Sequence, residues 1–116
     1  MPKPAQGKSP LKTRAVRGSR TGRPIMVLLD LLGRRWTLRI LWELRHGALT
    51  SRALRTACDE ASPTVLQARL TDLREAGFVA LAEGGGYSLT PLGQELSEAV
   101  LPLHRLAERW KGQLPR

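Results

Sequence analysis

A hydroxyl residue followed directly by proline stands at Ser62-Pro63 and again at Thr90-Pro91. Each pair is a helix start: the hydroxyl can cap the orphan amides of a first turn, and proline lacks only a donor that the first helical position does not use. Between the two starts, Val65, Leu66, Leu70 and Leu73 recur at helical spacing as far as Gly77, a residue suited to the left-handed conformation that ends a helix. Then come two short apolar runs, Phe78-Val79-Ala80-Leu81-Ala82 and Tyr87-Ser88-Leu89, around Glu83-Gly84-Gly85-Gly86. The runs read as strands and the glycines permit a tight hairpin turn. The punctuation therefore predicts a helix over 62–76, a two-stranded hairpin and a further helix from Pro91.

Upstream the same signals predict three more helices. Pro24 opens one with Ile25, Leu28, Leu29 and Leu32 at three-and-four spacing, ended by Gly33. A second runs from about Arg35 to Arg45, with Trp36, Ile40, Leu41 and Leu44 on one face, and stops at His46-Gly47. After the link Ala48-Leu49, Thr50 or Ser51 caps a helix of about two turns that carries Leu54 and Ala57 inward. Cys58 to Ala61 then connect it to the helix at Ser62. In the last helix Leu92, Leu96, Ala99, Leu103, Leu106 and Trp110 are spaced 4-3-4-3-4, a seam of the coiled-coil type. Pro102 removes one donor within it, which predicts a bend. A chain of 116 residues bounds this to one domain, and with three Trp, one Tyr and one Phe its core must be built from leucine. The expected fold class is mainly α with a small two-stranded β-hairpin, a winged helix-turn-helix.

Charge divides the chain unevenly. Lys and Arg number 19 against 10 Asp and Glu, a net charge of +9. Residues 1–24 hold Lys3, Lys8, Lys12, Arg14, Arg17, Arg20 and Arg23 without an acid, so the excess sits there and the rest is nearly balanced. Pro2, Pro4, Pro10, Gly7, Gly18 and Gly22 leave that stretch too little apolar surface to offset the entropy of ordering. The reading is a disordered basic arm over 1–23 and a folded domain over 24–116. The rivals are a transit peptide, whose amphipathic helix these prolines and glycines oppose, and a cloning remnant. A strongly basic balance points first to a polyanionic partner. The one cysteine, Cys58, cannot form an intramolecular disulfide. The longest apolar run, Ile25 to Leu29, falls far short of the roughly 20 residues of a bilayer span. The expected location is cytoplasmic, at the nucleoid, with no membrane partner.

A helix-turn-helix followed by a hairpin binds double-stranded DNA by laying its second helix in the major groove. With the apolar stripe turned inward, Pro63, Thr64, Gln67, Ala68 and Thr71 are left on the outer face of the helix from Ser62. Gln67 can pair with an adenine edge through two hydrogen bonds, and Thr64 and Ala68 can touch a thymine methyl. Ser62 with the free amides at the helix start, and Arg52 and Arg69 at the flanks, suit phosphates. Arg69 adjoins the stripe and can instead pair with Asp72 or Glu75. Nothing in the sequence converges on catalysis: there is no nucleophile elbow and no phosphate loop. His46 and His104 lack companions at ligand spacing, so no metal or cofactor is expected. Cys58 reads as a small, partly buried filler ahead of a thiol sensor. Trp36 and Trp110 read as core or dimer-core residues, whereas Trp42 lies off the inner face of its helix, toward a partner surface, a ligand cleft or solvent. Two classes of function follow. One is a dimeric, sequence-specific regulator on a pseudo-palindromic operator; the other is a winged-helix module for protein interaction or non-specific nucleic-acid binding, including RNA. The small, uncharged outer face favours the first, because a protein-binding face would expose larger apolar anchors.

The stretches Leu31-Leu32-Gly33-Arg34-Arg35-Trp36-Thr37, Ser62-Pro63-x-x-Leu66-x-x-Arg69-Leu70-x-x-Leu73-x-x-Ala76-Gly77-Phe78-Val79 and Tyr87-x-Leu89-Thr90-x-x-Gly93 together resemble the HxlR family of bacterial winged-helix transcriptional regulators, over about residues 24–111. The resemblance implies a homodimer held by the first and last helices, with Arg69 and the front of the Ser62 helix at the DNA. The seam from Leu92 to Trp110, too long for a domain of this size to cover, predicts the same dimer, with Ile25, Leu28, Leu29, Leu96, Leu103, Leu106 and Trp110 at its interface. Three departures stand out. Arg34-Arg35 replaces the family's usual Gly-Lys, Arg23 stands where many members carry a cysteine, and the hairpin has no charge but Glu83. Redox sensing through that cysteine is therefore not implied, and DNA contact from the hairpin should be weak. The sequence names no effector.

Overall fold

The computed structural model describes residues 22–115, so the arm expected over 1–23 lies outside the described residues apart from Gly22 and Arg23. Five helices and one hairpin follow in the expected order: α1 (Pro24–Leu32), α2 (Thr37–Glu43), α3 (Ser51–Ala57), α4 (Pro63–Glu75), β1 (Val79–Leu81), β2 (Tyr87–Leu89) and α5 (Pro91–Gln113). No helix among the described residues is long and apolar enough to cross a membrane.

Local signals account for most boundaries. Thr50 caps α3, its hydroxyl accepting from Ala53 N at 3.1 Å, and Thr90 caps α5, accepting from Gly93 N at 3.0 Å. The Thr90 hydroxyl also donates to Gly77 O at 2.6 Å, tying the start of α5 to the end of α4. Ser62 differs. Its side chain makes no capping bond, and proline at the start of α4 sets the first turn without it.

Two helices depart from the expected faces. In α1 the buried residues are Val27 and Leu31, with Leu28 half-buried and Ile25 and Leu29 exposed. The run Ile25-Met26-Val27-Leu28-Leu29 is apolar all round, so its periodicity selects no side and packing does. Helix α2 starts at Thr37, later than the expected Arg35, because Trp36 takes a left-handed conformation (φ 76) and breaks the helical phase. Trp36 still packs half-buried against the core, with the Arg35 guanidinium 5.5 Å from its ring centre.

The hairpin pairs Val79 with Leu89, Ala80 with Ser88 and Leu81 with Tyr87 in antiparallel register. The link residue Leu49 adds a further rung: Leu49 N donates to Tyr87 O at 3.0 Å and Tyr87 N to Leu49 O at 2.8 Å. Gly86 permits that approach, because a Cβ there would meet Leu49 O at 2.6 Å and the backbone has φ +84. The core gathers Leu31, Ile40, Leu41, Leu44, Leu54, Cys58, Leu66, Leu70, Leu73, Val79, Tyr87 and Leu96, leucine-built as composition required. Helix α5 continues through Pro102 as one element of 23 residues.

Trp42 is not an open surface. Its ring lies 4.1 Å from that of His104 on α5, and the Arg45 guanidinium sits 3.6 Å from its ring centre. The His104 contact fastens α2 to α5 and comes from a residue far away in sequence, which helical phase alone could not supply, whereas Arg45 lies three residues on from Trp42.

Candidate nucleic-acid interface

Helices α3 and α4 meet through a turn that two arginines hold. Asp59 (φ 57) and Glu60 (φ 60) both adopt left-handed backbone, costly for residues with a Cβ. Arg39, reaching over from α2, donates to Ala57 O at 2.6 Å and Asp59 Oδ2 at 3.1 Å, while its Nε bonds Glu43 at 2.8 Å. Hydrogen bonding to Glu43 outweighs the opposing burial and, with Asp59, holds this guanidinium above its ordinary pKa. Arg55 donates to Ala61 O at 3.0 Å on the far side of the turn. Beneath the turn lies Cys58, with no exposed surface. Burial pushes its thiol up, the Arg39 charge pulls it down, and Glu43 and Asp59 add to the rise. A fully buried thiol with a raised pKa sits here as a packing residue of the core.

Beyond the turn, α4 turns Leu66, Leu70 and Leu73 into the core, and Asp72 with them. Pro63, Thr64, Gln67 and Thr71 are exposed, together with Ser62 just ahead of them, while Ala68 is half-buried at the edge. Arg52, also exposed, joins Gln67 and Pro63 in lining a groove of about 160 Å³ between α3 and α4, with Ser51, Arg55, Leu66 and Leu70. Arg55 was missed from sequence; the signal was its place one turn beyond Arg52 on the same short helix.

Arg69 is placed differently. Two residues past Gln67, it lies about 200° around the helix, and its Nε is 3.1 Å from Asp72 Oδ2. Asp72 also meets Arg34 Nη1 at 3.0 Å. Of the sequence alternatives for Arg69, a phosphate, Asp72 or Glu75, the structure holds the pair with Asp72.

The residues expected at a dimer interface separate into two groups. Ile25, Leu29, Leu103, Leu106 and Trp110 are exposed, Trp110 at 60%. Leu28 packs half-buried on the core, and Leu96 belongs to the core itself. Among the described residues, no group of three or more His, Cys, Asp or Glu is placed to hold a metal ion.

A short capped helix, a pinned turn and a second helix whose outer face is small and uncharged from Pro63 to Thr71 form a helix-turn-helix with a hairpin behind it. The HxlR-like helix-turn-helix model matches residues 31–115 of this sequence. The chain belongs to the HxlR family. Its relatives include an HTH-type transcriptional regulator of Synechocystis, 29% identical over 96 residues that make up 78% of this chain and 71% of the relative. A solved structure from Thermoplasma volcanium, described as an HxlR family transcriptional factor, superposes with a TM-score of 0.68 at 27% identity, covering 74% of this HxlR chain and 83% of its own. A MarR-family regulator from Enterococcus faecalis has the same fold, with a TM-score of 0.68 at 24% identity over 84% of this chain and 94% of that one. The HxlR chain is thus a winged helix-turn-helix protein of a transcriptional-regulator family, which implies DNA binding and regulation.

Proposed function

We propose that this HxlR protein is a homodimeric, sequence-specific transcriptional regulator that lays α4 in the major groove of a pseudo-palindromic operator. The observation that carries this reading is the exposed face of α4. Pro63, Thr64, Gln67 and Thr71 stand free of the core, beside the exposed Arg52 of α3. An amide and short side chains on a helix narrow enough for the groove suit base edges, and a neighbouring cation suits the backbone. Ser62 and the first amides of α4 meet a phosphate, and Ala68 borders the base-reading set.

The uncovered Ile25 and Leu29 of α1 and Leu103, Leu106 and Trp110 of α5 support a two-fold dimer. A dimer of this kind reads half-sites about one or two helical turns apart, roughly 10 or 20 base pairs. The basic arm over 1–23 adds sequence-independent attraction to phosphates.

Selection of duplexes from a random pool, followed by competition binding with Gln67→Ala, tests the reading. Loss of the amide should cost about 1–3 kcal/mol at one base pair and relax the preference there. Recovery of no enriched duplex, with a Gln67→Ala protein equal to wild type, would favour the protein-interaction reading.

A further inference from the structure

The second half of α4 and strand β1 enclose a recess of about 500 Å³, open to solvent, lined by Thr71, Arg74, Glu75, Val79, Ala80 and Leu81. Arg74 lies on the same line of the helix as the groove-facing residues. Pro63, Gln67, Thr71 and Arg74 follow one another at steps of four, four and three, which keeps to one side of an α-helix. Arg74 is exposed and, among the described residues, it enters none of the ion pairs, whereas Arg34, Arg39, Arg55 and Arg69 are all engaged.

The two ends of that line match. At Pro63 it borders the groove that holds Arg52 and Arg55, and at Arg74 it enters the recess. Eleven residues separate them, a rise of about 16 Å, against a major groove about 12 Å wide between its two backbones. A helix seated there places one cationic end at each wall. The hairpin beside the recess brings no cation of its own, since Glu83 is the only charged residue from Val79 to Leu89.

We propose that the recess between α4 and β1 is a second DNA-backbone site, in which Arg74 binds a phosphodiester and supplies the charge that the hairpin lacks. The proposal rests on the reading of α4 as the groove helix. Glu75 shares the recess and opposes the anion, so the two neighbours should act in opposite directions. The competing role for Arg74 is local, as a cation in the last turn of α4 facing the negative end of the helix dipole.

The test measures binding of the full chain to the duplex it selects and to an unrelated duplex, from 50 to 200 mM salt, for wild type, Arg74→Ala, Arg74→Lys, Glu75→Gln and Gln67→Ala. One lost phosphate contact lowers the slope of log K against log salt by about 0.9, so wild-type affinity should fall about 3.5-fold more than that of Arg74→Ala over this range. Both duplexes should be affected alike, Arg74→Lys should keep the wild-type slope, and Glu75→Gln should tighten both. A lowered melting temperature in Arg74→Ala with an unchanged slope assigns the residue to the helix dipole and overturns the proposal. So does an altered preference at a single base pair, which would make Arg74 a base reader. If wild type separates the two duplexes and Gln67→Ala relaxes that separation while Arg74→Ala behaves as wild type, the recess fails and the groove helix stands. If wild type separates nothing, the groove reading itself fails.

Discussion

Arg34 Nη1 lies 3.0 Å from Asp72 Oδ2, joining the link between α1 and α2 to the second half of α4. The same carboxylate oxygen meets Arg69 Nε at 3.1 Å, and Arg34 Nη2 meets Asp30 Oδ2 at 3.3 Å. Charges thus alternate Asp30, Arg34, Asp72, Arg69 from one helix to the other. Burial works against the Arg34 charge, but the Asp72 and Asp30 carboxylates outweigh it and hold the guanidinium above its ordinary pKa. This chain of ions lies beside the inward stripe of Leu66, Leu70 and Leu73 on α4.

Asp72→Ala should test that arrangement. It leaves Arg69 partly buried without its counter-ion, and the side chains of Arg34 and Arg69 keep 26% and 23% of their exposure. The cost should be about 1–3 kcal/mol, below that of breaking a fully buried pair. Urea unfolding should show a lower midpoint at unchanged slope; a midpoint equal to wild type would mean that the ions contribute nothing.

Gly93→Ala should be far more damaging than its position in a helix suggests. A Cβ at Gly93 would collide with the backbone oxygen of Phe78 and come within 3.3 Å of Leu89 Cβ, so α5 could no longer sit against the hairpin. Backbone cannot yield as a flexible side chain does, and a loss of about 3 kcal/mol or more is expected. A variant melting within a few degrees of wild type would refute this.

Cys58 should make the fold sensitive to alkali. Its folded pKa is raised by burial, so the folded state keeps the proton after the unfolded state has lost it. The stability present below the ordinary thiol value of about 8.5 is lost as pH rises from there through the folded value. Urea midpoints at neutral and alkaline pH should fall more steeply for wild type than for Cys58→Ala. Parallel behaviour would exclude the thiol as the cause.

Leu103→Glu should separate assembly from folding. Leu103 is 58% exposed, so a carboxylate there costs the subunit little. Buried in a two-fold interface, the same charge would meet its own copy and repel it. Light scattering at micromolar concentration should find a dimer for wild type and a monomer for the variant, with unchanged helicity. A wild-type monomer that still binds its operator would remove the dimer from the proposed function.

Deletion of residues 1–23 should weaken binding to every duplex by a similar factor and make the salt dependence shallower, because those charges meet phosphates alone. A changed operator preference would mean that the arm reads a groove.

The sequence by itself determined the order of the elements, the cap at Thr90, a cap at Thr50 or its neighbour Ser51, the position of the hairpin and the inward stripe Leu66, Leu70 and Leu73. Those signals act within one or two turns of backbone, where spacing and a single hydroxyl or glycine decide the outcome. The exposed face of α4 was legible for the same reason, since burying one stripe leaves the other side free. What only the tertiary structure decided is which side of the apolar run Ile25 to Leu29 in α1 packs, why Trp36 leaves the helix, how His104 covers Trp42, and where the charge of Arg69 goes. Each of these turns on a partner distant in sequence, such as Arg34 against Asp72 or Leu49 against Tyr87. Contacts of that kind form only once the core has brought the segments together, and their energy depends on how much water that packing excludes.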